Sequence, residues 1–292
     1  MVIMAIMAIT LVGCEARLGG DVTQELTDAE QLPFPDGPAP DAPLGAFGAP
    51  QKITVAADDT VREDDGTLSH SGLELVFAVI NATDNLKDLF YASRPDLQSA
   101  FGIATKLPFS AINSSEETPR FAADDLTLFF AKTVGANDLD IHRVTRPTAG
   151  SQAWGTPSIV AGVNSAGVDK WFMPCDGNRY LIVIGADLAE GVLGAGAPQV
   201  VAELSSAQSE TGPFLTKDCL TTYFASTRVD ATNQLFMSTR TAIDQPWSIP
   251  TLVETFAALG GRQQDPFISD DDRTFVFVSD ADGTNDVYIS TR

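Results

Sequence analysis

Hydrophobic and polar residues alternate in short stretches along residues 46–292, and each such stretch leads into a more continuous apolar run. The alternation is clear at Leu73, Glu74 and Leu75, which open the apolar run 75–80. This pattern is typical of β-strands that pack between neighbouring sheets. It therefore predicts an all-β domain over residues 46–292.

The stretches recur as copies of one unit, and a short turn between two strands marks each copy. The turn segments are LSHSGLELVF (68–77), FAADDLTLFF (121–130), MPCDGNRYLI (173–182), LTKDCLTTYF (215–224) and ISDDDRTFVF (268–277). The turn residues taken as equivalent are spaced by 53, 52, 42 and 53 positions, and they are Ser71, Asp124, Asp176, Asp218 and Asp271. A repeat of this length indicates a solenoid, an array or a propeller.

A second motif closes the third strand of a copy. It reads DLFYASR (88–94), DIHRVTR (140–146), QLFMSTR (234–240) and DVYISTR (286–292). The third copy lacks this motif and is shorter, so we expect it to be degraded by about one strand with its turn. The closing arginines are predicted to lie on one rim and to pair with acidic turns of a neighbouring blade, with anion recognition as the alternative; they are Arg94, Arg146, Arg240 and Arg292.

A third motif opens the outermost strand and reads FGAP (47–50), FGIA (101–104), WGTP (154–157) and WSIP (247–250). It follows each closing arginine except Arg292, so we predict that residues 47–54 supply the outer strand of the last copy. An open array would leave sheet edges that invite pairing with other chains, whereas a closed ring leaves none of that kind. The prediction is a five-bladed β-propeller closed by an N-terminal outer strand, with six blades as the alternative.

These motifs resemble the WD40-like propeller repeat of the TolB type. That family's unit has a Pro-aromatic entry, a Ser-x-Asp-Gly turn, an apolar strand, and a second turn before Asp-Ile/Leu-Tyr. The last copy resembles it most, with DPFISDD (265–271) and SDADGTNDVY (279–288). The resemblance covers residues 46–292 and implies the fold. It does not imply one function, because such propellers serve as binding platforms, subunits and some enzymes.

The chain opens with the apolar segment MVIMAIMAITLVGC (1–14), whose last four residues, 11–14, resemble a bacterial lipobox. The apolar stretch is too short to span a bilayer but suits a signal peptide. It departs from the usual pattern because no Lys or Arg precedes it. The sequence predicts a signal peptide over 1–13 and a lipid on Cys14; the alternative is an uncleaved apolar tail.

Residues 14–45 are predicted to be the lipidated cysteine followed by a disordered tether rich in Pro, Gly and Asp, which has little apolar surface to bury. The net charge is −21, from 18 basic and 39 acidic residues. Such a surface repels nucleic acid and anionic lipid. We therefore expect a lipoprotein of the bacterial cell envelope, on the periplasmic or outer-membrane face. It would contact the membrane only through the lipid on Cys14, and its partner would be an envelope protein, peptide or glycan.

Cys175 and Cys219 are the two other cysteines. An oxidising envelope compartment favours a disulfide between them. Both flank turn aspartates taken as equivalent in adjacent copies, and such points should lie about 10 Å apart, which is too far for a bridge. The sequence leaves this disulfide open. It predicts no metal and no cofactor, because neither cysteine has a partner at metal-ligand spacing and the acidic loop 279–286 lacks the closing glutamate of a calcium loop.

The candidate site is the mouth of the central channel, where the innermost strand of each blade should begin. Seven residues before the turn residues stand Asp64, Glu117, Asp169, Thr211 and Gln264, followed by Asp65, Thr118, Lys170, Gly212 and Asp265. Convergent carboxylates can bind a cation or perform acid–base chemistry on a glycosidic bond. The candidate catalytic acids are Asp64, Asp65, Glu117, Asp169 and Asp265.

No nucleophile elbow, phosphate loop or dinucleotide motif accompanies these acids. We therefore predict a non-catalytic binding platform for a protein, peptide or glycan, with a carbohydrate-active, glycosidase-like propeller as the alternative. Geometry distinguishes the two. Carboxyls that face each other at about 5–9.5 Å would favour hydrolysis, whereas pairing with Lys170 and Arg120 would argue against it.

Overall fold

The computed structural model describes residues 44–55, 62–110, 113–136 and 138–292. The predicted signal peptide, Cys14 and most of the predicted tether lie outside this part of the chain. The described residues contain no helix that has both the length and the apolar character needed to cross a membrane.

Twenty strands, one single turn of 3-10 helix and one short helix account for the regular structure of the described residues. The first ten strands are β1 (Gln51–Lys52), β2 (Arg62–Leu68), β3 (Glu74–Ile80), β4 (Lys87–Ser93), β5 (Thr105–Lys106), β6 (Glu116–Phe121), β7 (Thr127–Gly135), β8 (Asp138–Thr145), β9 (Ser158–Ile159) and β10 (Lys170–Pro174). The others are β11 (Arg179–Ile184), β12 (Asp187–Val192), β13 (Gln199–Val200), β14 (Glu210–Leu215), β15 (Thr221–Ser226), β16 (Gln234–Thr239), β17 (Thr251–Leu252), β18 (Gln263–Ile268), β19 (Thr274–Ser279) and β20 (Asp286–Thr291). The 3-10 turn is Asp176–Asn178, and the helix α1 is Glu254–Ala257.

The strands form five antiparallel four-stranded sheets, the blades of a five-bladed β-propeller. Blades 1 to 4 are β2–β5, β6–β9, β10–β13 and β14–β17, and blade 5 is β18–β20 with β1. The first strands contact one another in a closed cycle, from β2 through β6, β10, β14 and β18 back to β2. The predicted fold class is confirmed.

Blade 5 is completed from the other end of the chain, as the outer-strand motif predicted. Strand β1 pairs with β20 in antiparallel register, with Gln51 opposite Ile289. The Gly48 N–H donates to the Thr291 carbonyl at 2.9 Å, and the Ile53 N–H donates to the Val287 carbonyl at 2.8 Å. Main-chain bonds therefore extend beyond both ends of the short β1 strand, and this segment covers the edge of β20.

The third blade keeps all four strands, so the expectation of a lost strand is wrong. Its missing residues come from connections instead. Only residues 185–186 join β11 to β12, and only 193–198 join β12 to β13. The corresponding connections of blade 1 are 81–86 and 94–104. A loop can shorten at little thermodynamic cost, whereas loss of a strand would leave a neighbouring sheet uncovered.

Apolar side chains fill the spaces between blades, which explains the near-continuous apolar runs of the second strands. One layer joins blades 1 and 2 and includes Val76, Phe121 and Phe130. The next layer joins blades 2 and 3, where the rings of Phe129 and Phe172 lie 4.9 Å apart. Second strands are buried on both faces, so alternation is lost there.

Three of the four closing arginines, Arg94, Arg146 and Arg240, are buried, and Arg292 is partly buried. Each Nε donates to the carbonyl of a turn residue with left-handed backbone at 2.6–2.9 Å, in the pairs Arg94–Gly72, Arg146–Asp125, Arg240–Cys219 and Arg292–Asp272. Each guanidinium also covers the aromatic ring of the outer-strand motif at 4.2–4.7 Å, namely Phe101, Trp154, Trp247 and Phe47 in the same order. In blades 1, 2, 4 and 5 the two sequence motifs therefore supply the two partners of one contact.

Two of these arginines also reach a neighbouring blade. Arg146, only 4% exposed, forms a two-point ion pair with Glu74 of blade 1, at 2.6 Å for both contacts. Arg240 pairs in the same way with Glu190 of blade 3, at 2.9 Å. The acidic partners lie on strands rather than in turns, which corrects the predicted pairing.

Cys175 and Cys219 form a disulfide with a Cα–Cα distance of 5.5 Å. The expected separation of about 10 Å was wrong because the two residues are not equivalent. Cys175 is the first residue of its turn, whereas Cys219 is the left-handed residue of the next turn. The Asp176 N–H also donates to the Lys217 carbonyl at 2.9 Å, which holds the two turns together.

Candidate binding site at the channel mouth

Every first strand carries the same β-bulge near its start. At each bulge one residue has left-handed backbone, with φ between 51° and 58°, and these are Asp65, Thr118, Trp171, Gly212 and Asp265. A positive φ is uncommon for residues other than glycine, and strained backbone is concentrated at binding and active sites. Three of these bulge residues join different blades, since Trp171 donates its backbone N–H to Oγ1 of Thr118 and its Nε1–H to Oδ1 of Asp265.

Gly212 is the one glycine among these bulge residues, and a contact explains it. A Cβ atom at this position would lie 2.7 Å from Oδ1 of Asp265 and 3.0 Å from its backbone nitrogen. Blade 4 therefore approaches Asp265 more closely than any side chain would permit.

The inner layer of the site consists of Asp65 and Asp265, each 1% exposed, with Arg120 and Trp171. Trp171 donates its Nε1–H to Oδ1 of Asp265 at 3.0 Å, and Nη2 of Arg120 lies 3.8 Å from the same oxygen. Burial, together with the carboxylates of Asp65 and Asp64, raises the pKa of Asp265 to about 8. This carboxyl is therefore largely protonated at neutral pH.

The outer layer is a chain of ion pairs centred on Lys87. Its Nζ lies 2.9 Å from Oδ2 of Asp64, 2.8 Å from Oδ2 of Asp65 and 3.3 Å from Oε2 of Glu117. Nζ of Lys170 lies 3.2 Å from the same Glu117 oxygen. Gln264 donates its Nε2–H to Oδ1 of Asp64 at 2.6 Å.

The three aspartates of the site differ in the direction in which their pKa values are shifted. Burial raises the pKa of Asp64, and the neighbouring Asp65 adds to this shift. Burial acts the same way on Asp65, but the Lys87 ammonium outweighs it and lowers the pKa of Asp65. The protonated fraction therefore differs among these three acids at the same pH.

One oxygen from each of Asp64, Asp65 and Asp265 lies within 4.8 Å of the others, a spacing that could hold a cation. Lys87 already supplies a positive charge to two of the three carboxylates, and the Arg120 guanidinium faces the third. A metal ion would have to displace or repel these two cations. The donor set therefore does not favour a metal centre.

The structure brings together Asp64, Asp65, Glu117 and Asp265, but it places Asp169 elsewhere. Asp169 accepts hydrogen bonds from the backbone N–H of Ser165 at 2.6 Å and from its hydroxyl at 3.1 Å, so it holds the connection before β10. The turn after β10 has four residues, 175–178, where the other blades have five. Counting back from this turn therefore selected Asp169 in place of Lys170.

Asp169 instead belongs to a ring of buried polar side chains one position earlier. The residues at the start of the five first strands are Glu63, Glu116, Asp169, Glu210 and Gln263, each at most 6% exposed. Glu210 behaves like Asp169, since it accepts hydrogen bonds from the backbone and hydroxyl of Ser206 in the preceding connection. In blades 3 and 4 this residue therefore holds the connection that leads into the blade.

Sequence reasoning missed Lys87 and Trp171 as site residues. Lys87 begins the third strand of blade 1, and no spacing relative to the turn motifs links it to the channel. Trp171 could have been found, since it immediately follows Lys170 and the bulge repeats at Thr118 and Asp265. The turn 175–178 is one residue shorter than the other first turns, so counting back from it missed Trp171.

No family model matches the chain, and no curated protein matches it. Solved structures with a similar fold include a GH62 hydrolase in complex with xylotriose, with 12% identity and a TM-score of 0.54 over 85% of this chain and 96% of that one. The catalytic domain of the GH62 α-L-arabinofuranosidase of Coprinopsis cinerea is 13% identical, with a TM-score of 0.52 over 84% of this chain and 96% of that one.

TolB from Acinetobacter baumannii is also similar, at 10% identity and a TM-score of 0.49, over 80% of this chain and 55% of that one. This chain therefore spans about half the length of that TolB. Identities this low concern the fold alone. The chain shares its β-propeller architecture with the two GH62 proteins, and a shared architecture does not imply a shared function.

Proposed function

We propose that the protein is a non-catalytic binding platform that recognises a hydroxyl-rich ligand, a glycan, at the channel mouth. The observation that carries this proposal is the outer layer of side chains. Ammonium groups, carboxylates and the Gln264 amide alternate there, held in place by their mutual contacts. Sugar hydroxyls both donate and accept hydrogen bonds, so a fixed array of donors beside acceptors suits them.

The half-buried Trp171 adds a second feature that suits a sugar. Its indole is anchored by the bond to Asp265, and Nζ of Lys170 lies 4.9 Å from its ring centroid. A ring fixed in this way offers an apolar face beside polar groups without a cost in side-chain entropy on binding.

Hydrolysis would need a carboxyl that is free to deliver or accept a proton. Glu117 contacts both Lys87 and Lys170, and Asp64 and Asp65 are tied to Lys87. Asp265 faces Arg120 and is 1% exposed. Pairing of this kind was the geometry expected to argue against a glycosidase, and it supports the binding proposal.

One observation favours the enzyme alternative. Asp265 has a pKa raised to about 8, while the pKa of Asp65 beside it is lowered. Divergent proton affinities of two neighbouring carboxyls are a feature of acid–base pairs in glycosidases. A carbohydrate-active propeller would use Asp265 as the acid and Asp65 as the base or nucleophile.

A glycan array followed by calorimetry tests the proposal. Lys170→Met and Glu117→Gln should each weaken glycan binding about tenfold, since the first removes a charged donor and the second removes the charge of an acceptor. Lys106→Met is the matched control. Lys106 lies on β5, the outer strand of blade 1, and pairs there with Asp88 at 2.7 Å, away from the channel mouth. Binding that is equal in all three variants would contradict the proposal. Release of reducing sugar that Asp265→Asn abolishes would establish the enzyme instead.

We also propose the cell envelope as the location of the protein. The Cys175–Cys219 disulfide supports this, because disulfides persist in oxidising compartments and are rare in the cytosol. The lipid on Cys14 remains part of the proposal and has its own test below.

A further inference from the structure

In four blades the guanidinium of the closing arginine occupies the same position beside the first turn. Arg146 of blade 2 makes the largest set of contacts there. Its Nε and Nη2 donate to the Asp125 carbonyl at 2.9 and 2.6 Å. The group pairs with Glu74 of the preceding blade and lies 4.7 Å from the Trp154 ring centroid. The position therefore combines a turn, an acid of the preceding blade and an apolar wall.

Blade 3 has Leu193 at this position. The Leu193 N–H donates to the Asn178 carbonyl at 2.9 Å, as the Arg146 N–H does to the Leu126 carbonyl at the same distance. The backbone is therefore equivalent, but the side chain is shorter and uncharged. Blade 3 supplies no guanidinium of its own here.

A cavity of about 310 Å³ lies beside Leu193, between blades 2 and 3 on the face formed by the first turns of the blades. Its apolar wall includes Phe129, Pro174 and Leu193. The exposed side chains of Asp124 and Asp176 line it as well. An apolar wall beside a carboxylate is the environment in which Arg146 of blade 2 and Arg240 of blade 4 lie.

The charge around the cavity also favours a cationic ligand. Two carboxylates line it against one ammonium, that of Lys217. A second cavity of about 350 Å³ shares Asp176 and Lys217 with the first and adds three more acids, Asp218, Asp270 and Asp272. With a net charge of −21, the whole protein attracts basic partners.

We propose that this cavity, the blade 2–3 pocket, is a binding site for an arginine side chain of a basic partner protein. The guanidinium would lie against Phe129 and Leu193 and pair with Asp124 and Asp176, as Arg146 does with its own ring and acid. The second cavity would receive a further basic residue of the same segment. This site lies at the opposite end of the first strands from the channel mouth, so it does not depend on the glycan proposal.

The test uses a fluorescently labelled peptide with two arginines and its citrulline counterpart, which keeps the shape but removes the charge. Fluorescence polarisation should show binding of the arginine peptide, weakened by salt, and at least tenfold weaker binding of the citrulline peptide. Leu193→Arg should block the pocket with an internal guanidinium and abolish binding. Absence of binding of the arginine peptide at millimolar concentration would overturn the proposal.

Val168→Arg is the matched control, because it adds the same charge at an exposed position, 48% accessible, outside the pocket. Its affinity for the peptide should stay within about twofold of the parent. Asp176→Asn provides a second variant that leaves the core intact, and it should weaken the peptide about fivefold to tenfold. Equal affinity in Leu193→Arg and the parent, or equal binding of the two peptides, would overturn the proposal. Glycan binding should be unchanged in Leu193→Arg, which separates the two sites.

Discussion

The guanidinium carbon of Arg292 lies 4.3 Å from the ring centroid of Phe47, so one cation–π contact joins the two ends of the propeller. The same contact occurs inside blade 1 between Arg94 and Phe101, at 4.6 Å. In blade 1 the chain is continuous between the two partners. In blade 5 the contact and the β1–β20 pairing link residues from opposite ends of the propeller.

Phe47→Ala should open this closure. The ring of Phe47 also packs on Phe256 and Phe275, at 5.6 and 5.5 Å, and its loss should cost about 2 kcal/mol of stability for a half-buried side chain. The opening free energy that hydrogen exchange measures for the β20 amides should fall by a similar amount. Phe101→Ala is the control, since it removes the equivalent ring without touching the closure. Unchanged protection of β20 in Phe47→Ala would contradict the closure.

Removal of the disulfide should destabilise the domain. Cys175 and Cys219 are 44 positions apart, and closing a loop of that size is worth up to about 4 kcal/mol in the chain-entropy model. Urea unfolding of the Cys175→Ser, Cys219→Ser double variant should show this loss. A reductant should lower the unfolding free energy of the parent by the same amount and leave that of the double variant unchanged. Equal midpoints for parent and variant would contradict the prediction.

Glu74→Ala should be among the most destabilising charge deletions. The Glu74 carboxylate is buried, pairs with Arg146 at 2.6 Å, and accepts a hydrogen bond from the Tyr91 hydroxyl at 2.9 Å. Its removal leaves a buried guanidinium without its partner, at a cost of about 3–5 kcal/mol. Asp88→Ala, which breaks the more exposed pair with Lys106, should cost less than about 1 kcal/mol. Chemical denaturation measures both, and similar losses would refute the distinction.

The stability of the domain should respond to the titration of Asp265. Its folded-state pKa of about 8 lies above the unfolded value of about 3.9. Between these values the native state holds a proton that the unfolded chain has lost, so this group's contribution to stability falls as pH rises. Asp265→Asn removes the effect while keeping an acceptor for Trp171. Its stability relative to the parent should therefore rise from pH 4 to 8, by up to about 1.4 kcal/mol per pH unit, and then level off.

Urea unfolding of both proteins at pH 5, 7 and 9 measures this difference. Asp64 and Asp65 are present in both proteins, so their own titration largely cancels in the comparison. A difference that is independent of pH would show that Asp265 is ionised throughout.

Lipidation of Cys14 should be visible in cells. Labelled palmitate should enter the full-length chain and not Cys14→Ala, because acylation of a lipoprotein requires that thiol. The Cys14→Ala protein should also leave the membrane fraction. Equal incorporation of label in the two proteins would disprove the anchor.

The repeat predicted the architecture because each motif is half of a contact. The closing arginines and the outer-strand aromatics occur at a fixed spacing since Arg146 must cover Trp154 within one blade. The outer-strand motif also occurs at 47–50, ahead of the first copy, and this predicted that residues 47–54 would complete blade 5. Contacts within one repeat are local, and local contacts leave a periodic signal in sequence.

The site was predicted less completely because its contacts join different blades. Asp64, Asp65, Glu117 and Asp265 follow from the repeat, but Lys87 reaches them from a third strand, and only the fold reveals this. A single residue missing from turn 175–178 was enough to misplace Asp169. The same assumption of equivalent turns made the disulfide look too long.

The borrowed outer strand also sets the order in which the molecule can be made. Residues 47–53 emerge from the ribosome well before β20, so blade 5 cannot assemble until β20 has been synthesised. Until then residues 47–53 have no β20 to pair with, although the strands of blades 1 to 4 have already been synthesised. A product truncated before residue 286 would expose the edge of β19, and such edges recruit other chains into aggregates.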